Sequence, residues 1–122
     1  MPQFVTISSH QKVGEAIDTM QQYSISQLAV VRDGQVDSLA DVIGSLQDRD
    51  LLDRVFKNAD ALHEDVAAAM QPPLAAIEVG ESLNEVFATL TGRTNAIVVA
   101  RDGRPVGVLT RSDLLEYLAH HG

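Results

Sequence analysis

No cysteine occurs in the 122 residues, so the chain can form no disulfide, present no thiolate nucleophile and bind no metal through sulfur. Tryptophan is absent too, and aromatic residues make up only 4%, which leaves Ala, Val, Leu and Ile to fill any core. Positive charge is scarce: 9 Lys and Arg stand against 17 Asp and Glu, a formal net charge of -8. A phosphate backbone or an anionic lipid surface prefers a basic face, so neither nucleic acid nor membrane is expected as a partner. No apolar run approaches the roughly 18 residues of a membrane span, and no basic region followed by an apolar stretch marks a signal peptide. With no cysteine, these features fit a reducing compartment, and a cytoplasmic location is expected.

What is present suits a folded chain, with 45% hydrophobic and 21% charged residues and a mean hydropathy of +0.01. The hydrophobic pattern repeats. Val13-Gly14-Glu15 resembles Val79-Gly80-Glu81, but a shift of 70 positions does better. It pairs Val5-Thr6-Ile7 with Ala75-Ala76-Ile77, and Val13, Ala16, Ile17 and Met20 with Leu83, Val86, Phe87 and Leu90. With one gap, Leu28 to Gly34 lies over Ile97 to Gly103. After a length difference near Asp37 to Asp41, read as a polar excursion from a hairpin, Gly44 to Leu52 lies over Gly107 to Leu115. The chain is a tandem duplication: residues 1–58 form the first copy, 59–73 a packed bridge and 74–122 the second copy.

Each copy reads strand, helix, strand, hairpin, strand, helix. Ser82 caps a predicted helix over 83–91, with Glu85 as the reciprocal capping-box carboxylate and Gly92 at its end. Strand 96–100, the Asp102-Gly103 turn, a return strand from Pro105 and a helix over 111–119 follow. The first copy has helices near 12–23 and 48–58 and strands near 28–31 and 42–46. A short helix from Leu62 to Met70 is predicted in the bridge, stopped by Pro72-Pro73. One copy alone buries too little apolar surface to be secure. The expected fold is therefore mixed α/β (α+β): two copies related by pseudo-twofold symmetry, with helices packed on short mixed sheets.

The run Gly107-Val108-Leu109-Thr110-Arg111-Ser112-Asp113-Leu114-Leu115 resembles the signature of the CBS domain, and the pair resembles a Bateman module. Val5-Thr6-Ile7, Val13-Gly14-Glu15-Ala16 and Ile25 to Val31 carry the same resemblance in the first copy, which extends from about Phe4 to Leu118. More narrowly, the chain is similar to the regulatory tail of bacterial cystathionine β-synthases. The resemblance implies a non-enzymatic sensor of an adenosyl compound (AMP, ADP, ATP or S-adenosylmethionine). Such a sensor allosterically controls a linked or partner enzyme or transporter, and no catalytic cofactor is implied. It further implies a homodimer, with the four long helices as candidate surfaces. The alternative is a structural or oligomerisation module of the same fold that binds no nucleotide.

By that resemblance the threonine meets phosphate or ribose and the aspartate accepts from the ribose hydroxyls, roles that fall on Thr110 and Asp113. Without the family, Thr110-x-x-Asp113 is equally a helix N-cap pattern, and the two roles can coexist. Val5, Thr6, Ile7, Ile25, Ser26, Gln27 and Leu28 are the first-copy segments expected to complete that cleft, offering apolar surface for a purine and backbone groups for its edge. Arg111 is a candidate for an anionic group, or a solvated arginine beside Asp113 and Glu116. The first copy departs from the pattern, because Gln47 replaces the threonine before Asp50 and Asp48 adds negative charge. The second cleft, with Asp50, Gln47, Ala76, Thr94 and Asn95, is expected to be the poorer one. A nearly neutral or zwitterionic ligand fits this acidic chain better than a triphosphate.

Other polar groups carry no chemistry. His63-Glu64-Asp65 diverge on a helix, His120-His121 lack a third ligand, and His10 lacks a nucleophile and base. Asp48, Asp50 and Asp53 are balanced by Arg49 and Arg54, and neither a P-loop nor a dinucleotide fingerprint occurs.

Overall fold

The structure, a computed structural model, describes residues 4–92 and 96–121. The chain divides into two compact units, one of Val5–Val36 with Ala40–Pro73, the other of residues from Leu74 onward together with Phe4 and Asp37–Leu39. In the first unit, β1 (Thr6–Ser8) leads to α1 (Val13–Tyr23), β2 (Gln27–Val31), β3 (Val42–Gln47) and α2 (Asp48–Lys57). A one-turn helix α3 (Val66–Ala69) follows a 3-10 turn over Ala59–His63. The second unit repeats the order with β4 (Ala76–Glu78), α4 (Leu83–Thr91), β5 (Ala96–Arg101), β6 (Arg104–Thr110) and α5 (Arg111–His121).

Each unit builds a three-stranded mixed sheet, in the orders β1-β2-β3 and β4-β5-β6. The registers prove the duplication. Thr6 faces Ala29 in parallel as Ala76 faces Val98, and Val30 faces Gly44 antiparallel as Val99 faces Gly107. Each antiparallel ladder is then displaced by one residue at the same place, between Val30 and Val31 and between Val99 and Ala100. A bulge conserved between copies at one position is inherited geometry, because it sets the twist that both helices of a unit pack against.

Apolar spacing explains the cores. Val13, Ala16 and Met20 recur on one face of α1 and meet Ile7, Leu28, Val30, Leu46 and Leu51, all buried. Val86 and Leu90 of α4 meet Ile97 and Leu114 in the second unit. Residues 96–100 are buried throughout, so β5 is covered on both faces, as its unbroken apolar run requires. The Asp102-Gly103 turn places both residues at positive φ, 53° and 78°, the backbone of a type I′ hairpin turn. The carboxylate of Glu78 braces it, accepting from the N–H groups of Asp102 (2.9 Å) and Gly103 (2.8 Å).

Three local expectations change. The predicted Leu62–Met70 helix is broken at Glu64-Asp65, which are extended. The backbone there is spent on the first unit instead: Val13 N–H donates to Glu64 O, Val66 N–H to Gln11 O and Ala67 N–H to Ser9 O. The bridge ends by pairing Ser45 with Gln71 through two backbone hydrogen bonds of 2.9 and 2.8 Å, while Ser45 Oγ donates to Pro72 O. The excursion near Asp37 to Asp41 includes a 3-10 turn over Leu39–Asp41, and Leu39 N–H donates to Gly103 O of the same unit. Finally, α4 has half of its predicted capping box. Ser82 Oγ accepts from Glu85 N–H, but the Glu85 carboxyl hydrogen-bonds Glu81 instead of the Ser82 backbone. Gly92 does end α4, yet with a negative φ of -84°, so the glycine is not there for a left-handed turn.

Candidate ligand site at the helix starts

The Thr110 motif sits where β6 passes directly into α5. Thr110 N–H and Oγ1–H both donate to Asp113 Oδ2 (2.9 Å each), and Asp113 N–H donates back to Thr110 Oγ1 (3.2 Å). This is a reciprocal cap: each side chain satisfies the other's otherwise unpaired backbone donor. Both residues are half-buried. The cap occupies Oδ2 and holds the carboxylate in one orientation, so Oδ1 is presented in a fixed place at a helix start. A carboxylate oxygen there can accept from a hydroxyl pair, and the helix's remaining N–H groups favour an anionic or polar group beside it.

The first-copy counterpart lacks this lock. Gln47 has the extended backbone of an N-cap (φ -123°, ψ 141°) but makes no side-chain capping bond to α2. Asp50 is exposed, and lines an open pocket of about 460 Å³ together with Asp53, Arg54, Lys57, Asn58, Glu64 and Gln71. The cations of that pocket are engaged: Arg54 Nε lies 2.8 Å from Glu64 and Lys57 Nζ 3.1 Å from Asp53. Ala76 is exposed on β4, whereas Thr94 and Asn95 lie outside the described residues. Among the described residues no group of three or more His, Asp or Glu could hold a metal ion, and no helix is long and apolar enough to cross a membrane.

Two further placements refine the sequence reading. Arg111 is neither simply solvated nor wholly at liberty for a ligand, because its Nε donates to Leu90 O at 2.6 Å. That carbonyl belongs to the last turn of α4, which otherwise has no basic residue. The guanidinium thus ties the two helices of one unit together, a role that no local spacing rule predicts. In the first unit, Ile7 and Leu28 are 2% and 1% exposed and belong to the core. Strand alternation turns their side chains inward, so it is backbone that these two positions can offer outward. Val5, Thr6, Ile25 and Gln27 are half-buried and Ser26 is exposed. The Ser26 carbonyl accepts from Asp48 N–H at 3.0 Å, fixing the approach to α2.

The family model for the CBS domain matches the chain twice, over residues 1–57 and 64–120. The chain belongs to the CBS-domain family. It is a tandem CBS pair, a regulatory module and not a catalytic one. The inosine-5′-monophosphate dehydrogenase of Methanocaldococcus jannaschii is 32% identical over 112 residues, covering 92% of this chain but 21% of that protein. This chain therefore corresponds to a small part of that relative. Among solved structures, a CBS-domain containing protein from Agrobacterium tumefaciens matches with a TM-score of 0.79 at 24% identity, covering 94% of this chain and 84% of that one. OpuCA of Staphylococcus aureus matches with a TM-score of 0.74 at 19% identity, covering 100% and 97%. A conserved protein from Pyrococcus horikoshii matches at 0.79 and 25% identity, covering 100% and 88%.

Ionisation in this CBS pair is perturbed at Asp65, Glu81 and Glu85. The Lys12 ammonium, hydrogen-bonded to Asp65, holds that carboxyl below its ordinary value. The Glu78 N–H donates to Glu81 Oε1 (3.0 Å) and lowers Glu81, while Glu81 in turn hydrogen-bonds and repels Glu85 and raises it.

Proposed function

We propose that this CBS pair senses an adenosyl compound (AMP, ADP, ATP or S-adenosylmethionine) and passes its occupancy to a linked or partner enzyme or transporter. Thr110 meets the phosphate, ribose or tail, and Asp113 accepts from the ribose hydroxyls. Arg111 stands beside the motif, its Nε held by the Leu90 carbonyl. The observation that carries this reading is the asymmetry of the two helix starts. Thr110 and Asp113 form a closed reciprocal cap that orients one carboxylate, whereas Gln47 makes no cap and Asp50 is exposed. A pre-oriented acceptor loses less freedom on binding than a mobile one. One working site at Thr110 and Asp113, and a poorer one at Asp50, follow from it.

The module acts as a homodimer in the cytoplasm. Exposed apolar side chains on the helices support the pairing: Leu52 (69%) and Phe56 (88%) on α2, Phe87 (54%) on α4 and Leu115 (68%) on α5. Light scattering at tens of micromolar should give twice the 13.2 kDa chain mass. The chain mass itself, with and without ligand, refutes the dimer.

The decisive experiment is calorimetry with AMP, ADP, ATP, S-adenosylmethionine and adenosine on the wild type, Asp113→Ala and Asp50→Ala. Saturable binding that raises the melting temperature is expected. Asp113→Ala should lose about 1–3 kcal/mol of affinity, as when a charged hydrogen-bond partner is removed, and Asp50→Ala less. No binding at millimolar ligand leaves the structural role of the fold. Equal affinity in folded Asp113→Ala moves the site elsewhere.

A further inference from the structure

The last helix of each repeat begins with a charged residue, and the two charges are opposite. Under the offset that lays Gly44 to Leu52 over Gly107 to Leu115, Asp48 at the start of α2 corresponds to Arg111 at the start of α5. Met20 of α1 likewise corresponds to Leu90 of α4. In the second repeat the Arg111 guanidinium crosses between the two helices, where its Nε donates to Leu90 O at 2.6 Å. In the first repeat the equivalent carbonyl is met by backbone instead. Ser24, with a left-handed φ of 53°, turns the chain back over the end of α1, and Ile25 N–H donates to Met20 O at 3.0 Å.

Where the second repeat places that guanidinium, the first repeat has a cavity of about 310 Å³ between α1 and α2. Ile17, Met20, Ile25, Leu51, Leu52 and Val55 supply its apolar wall, with Met20 and Leu51 buried at 5% and 2% exposure. Asp48 is the one charged residue of the lining, and Gln21 adds an amide. Among the described residues neither side chain has a hydrogen-bond or ion-pair partner. The Asp48 backbone is nonetheless fixed, since its N–H donates to Ser26 O at 3.0 Å, which roots the carboxylate beside Ile25.

A mostly apolar cavity of this size with a few polar groups has the usual form of a small-molecule site. Its lone carboxylate selects charge. An anion is repelled, and a neutral apolar molecule leaves Asp48 to water. A cation on an apolar stem satisfies both the wall and the carboxylate. The side chain of Arg111 shows which cation the same helix pair takes in the other repeat: a flat guanidinium on a short aliphatic stem. Such a head is more weakly hydrated than an ammonium and gives a carboxylate two parallel donors. A second copy of this chain, at a net charge of -8, is the poorer match for Asp48, because like charge is repelled.

We propose that the α1–α2 cavity of the first repeat binds a small guanidinium compound, with its stem against Ile17, Leu51 and Val55 and its head on Asp48. The site lies within one repeat and uses none of Thr110, Asp113 and Asp50, so it is independent of the adenosyl reading.

The test is a titration of the 15N-labelled full chain with n-butylguanidinium, n-butylammonium and 1-butanol, followed by amide shifts and light scattering. The guanidinium should shift residues 17–25 and 48–55 saturably at unchanged mass. It should bind about tenfold or more tightly than the alcohol, as a hydrogen-bonded charge allows, and more tightly than the ammonium. Asp48→Asn should bring guanidinium binding down to the level of the alcohol while the remaining spectrum stays dispersed. Asp48→Arg, which installs the second repeat's residue, should close the cavity to all three probes. Asp50→Ala removes a neighbouring carboxylate outside the cavity lining and should leave binding unchanged. Four outcomes overturn the proposal. They are no saturable shift at high-millimolar probe, a guanidinium that binds no better than the ammonium or the alcohol, the same loss in Asp50→Ala as in Asp48→Asn, and binding that falls as the chain self-associates. The last assigns the cavity to a second copy.

Discussion

Gly44→Ala tests whether the bridge between the repeats is part of the first repeat's fold. An added Cβ would lie 2.6 Å from Met70 Sδ, 3.0 Å from Met70 Cγ and 2.9 Å from Gln71 O. The thioether can swing away, but the Gln71 carbonyl is held in a paired bridge with Ser45. Relief requires the 66–72 backbone to move out. Overpacking of this kind costs about 1–3 kcal/mol, and each backbone hydrogen bond lost adds about 0.5–1.5 kcal/mol. A total of about 2–6 kcal/mol follows if the two bridge bonds are lost together. Gly34→Ala is the control, since its Cβ would meet nothing within 4 Å and its φ is not positive. Urea unfolding should show the loss for Gly44→Ala and a change within about 0.5 kcal/mol for Gly34→Ala. Hydrogen exchange at Gln71 N–H should accelerate in the first variant alone. A Gly44→Ala protein as stable as the wild type, with Gln71 still protected, would refute the reasoning.

Gln47→Thr should stabilise the chain by about 0.5–1 kcal/mol, because the extended backbone already present at Gln47 suits a hydroxyl cap onto Asp50 N–H; an unchanged or lower midpoint in urea counts against it. Glu85→Gln should raise the melting temperature at neutral pH by removing repulsion from Glu81. A carboxyl with its folded pKa raised above 4.5 contributes stability that is present below that value and lost as pH rises through the folded pKa. The gain from Glu85→Gln should therefore shrink on acidification through that window, and a gain that grows instead would reverse the assignment. Asp65 runs the other way: its lowered pKa gives stability present above 3.8 and lost as pH falls through the folded value. The midpoint difference between wild type and Asp65→Asn should thus vanish in strong acid, and a difference that persists there would show another origin.

Much of this was legible because side-chain pattern and backbone period agree. The short unbroken apolar runs around Val30 and Val99, and the three- and four-residue spacing from Val13 to Met20 and from Leu83 to Leu90, place strands and helices where they occur. The offsets that align the repeats also reproduce the ladder partners, bulge included. The Thr110-x-x-Asp113 cap was readable from spacing alone, since a helix start needs an acceptor at its cap and another at its third residue. The weakness of Gln47 in the same position was readable for the same reason.

Other features carry no local code. The bridge bonds the first repeat through backbone groups that every residue possesses, so its path was invisible apart from the missing side chains of Gly14 and Gly44. Arg111 reaches a carbonyl 21 positions away, and Glu78 braces a turn 24 and 25 positions away. The inward turn of Ile7 and Leu28 depends on what lies above each strand. Local periodicity in the amino-acid sequence therefore determined the duplicated elements and their caps. Tertiary structure decided which faces are covered and which long-range donors find acceptors, because those outcomes depend on segments distant in the chain meeting in space.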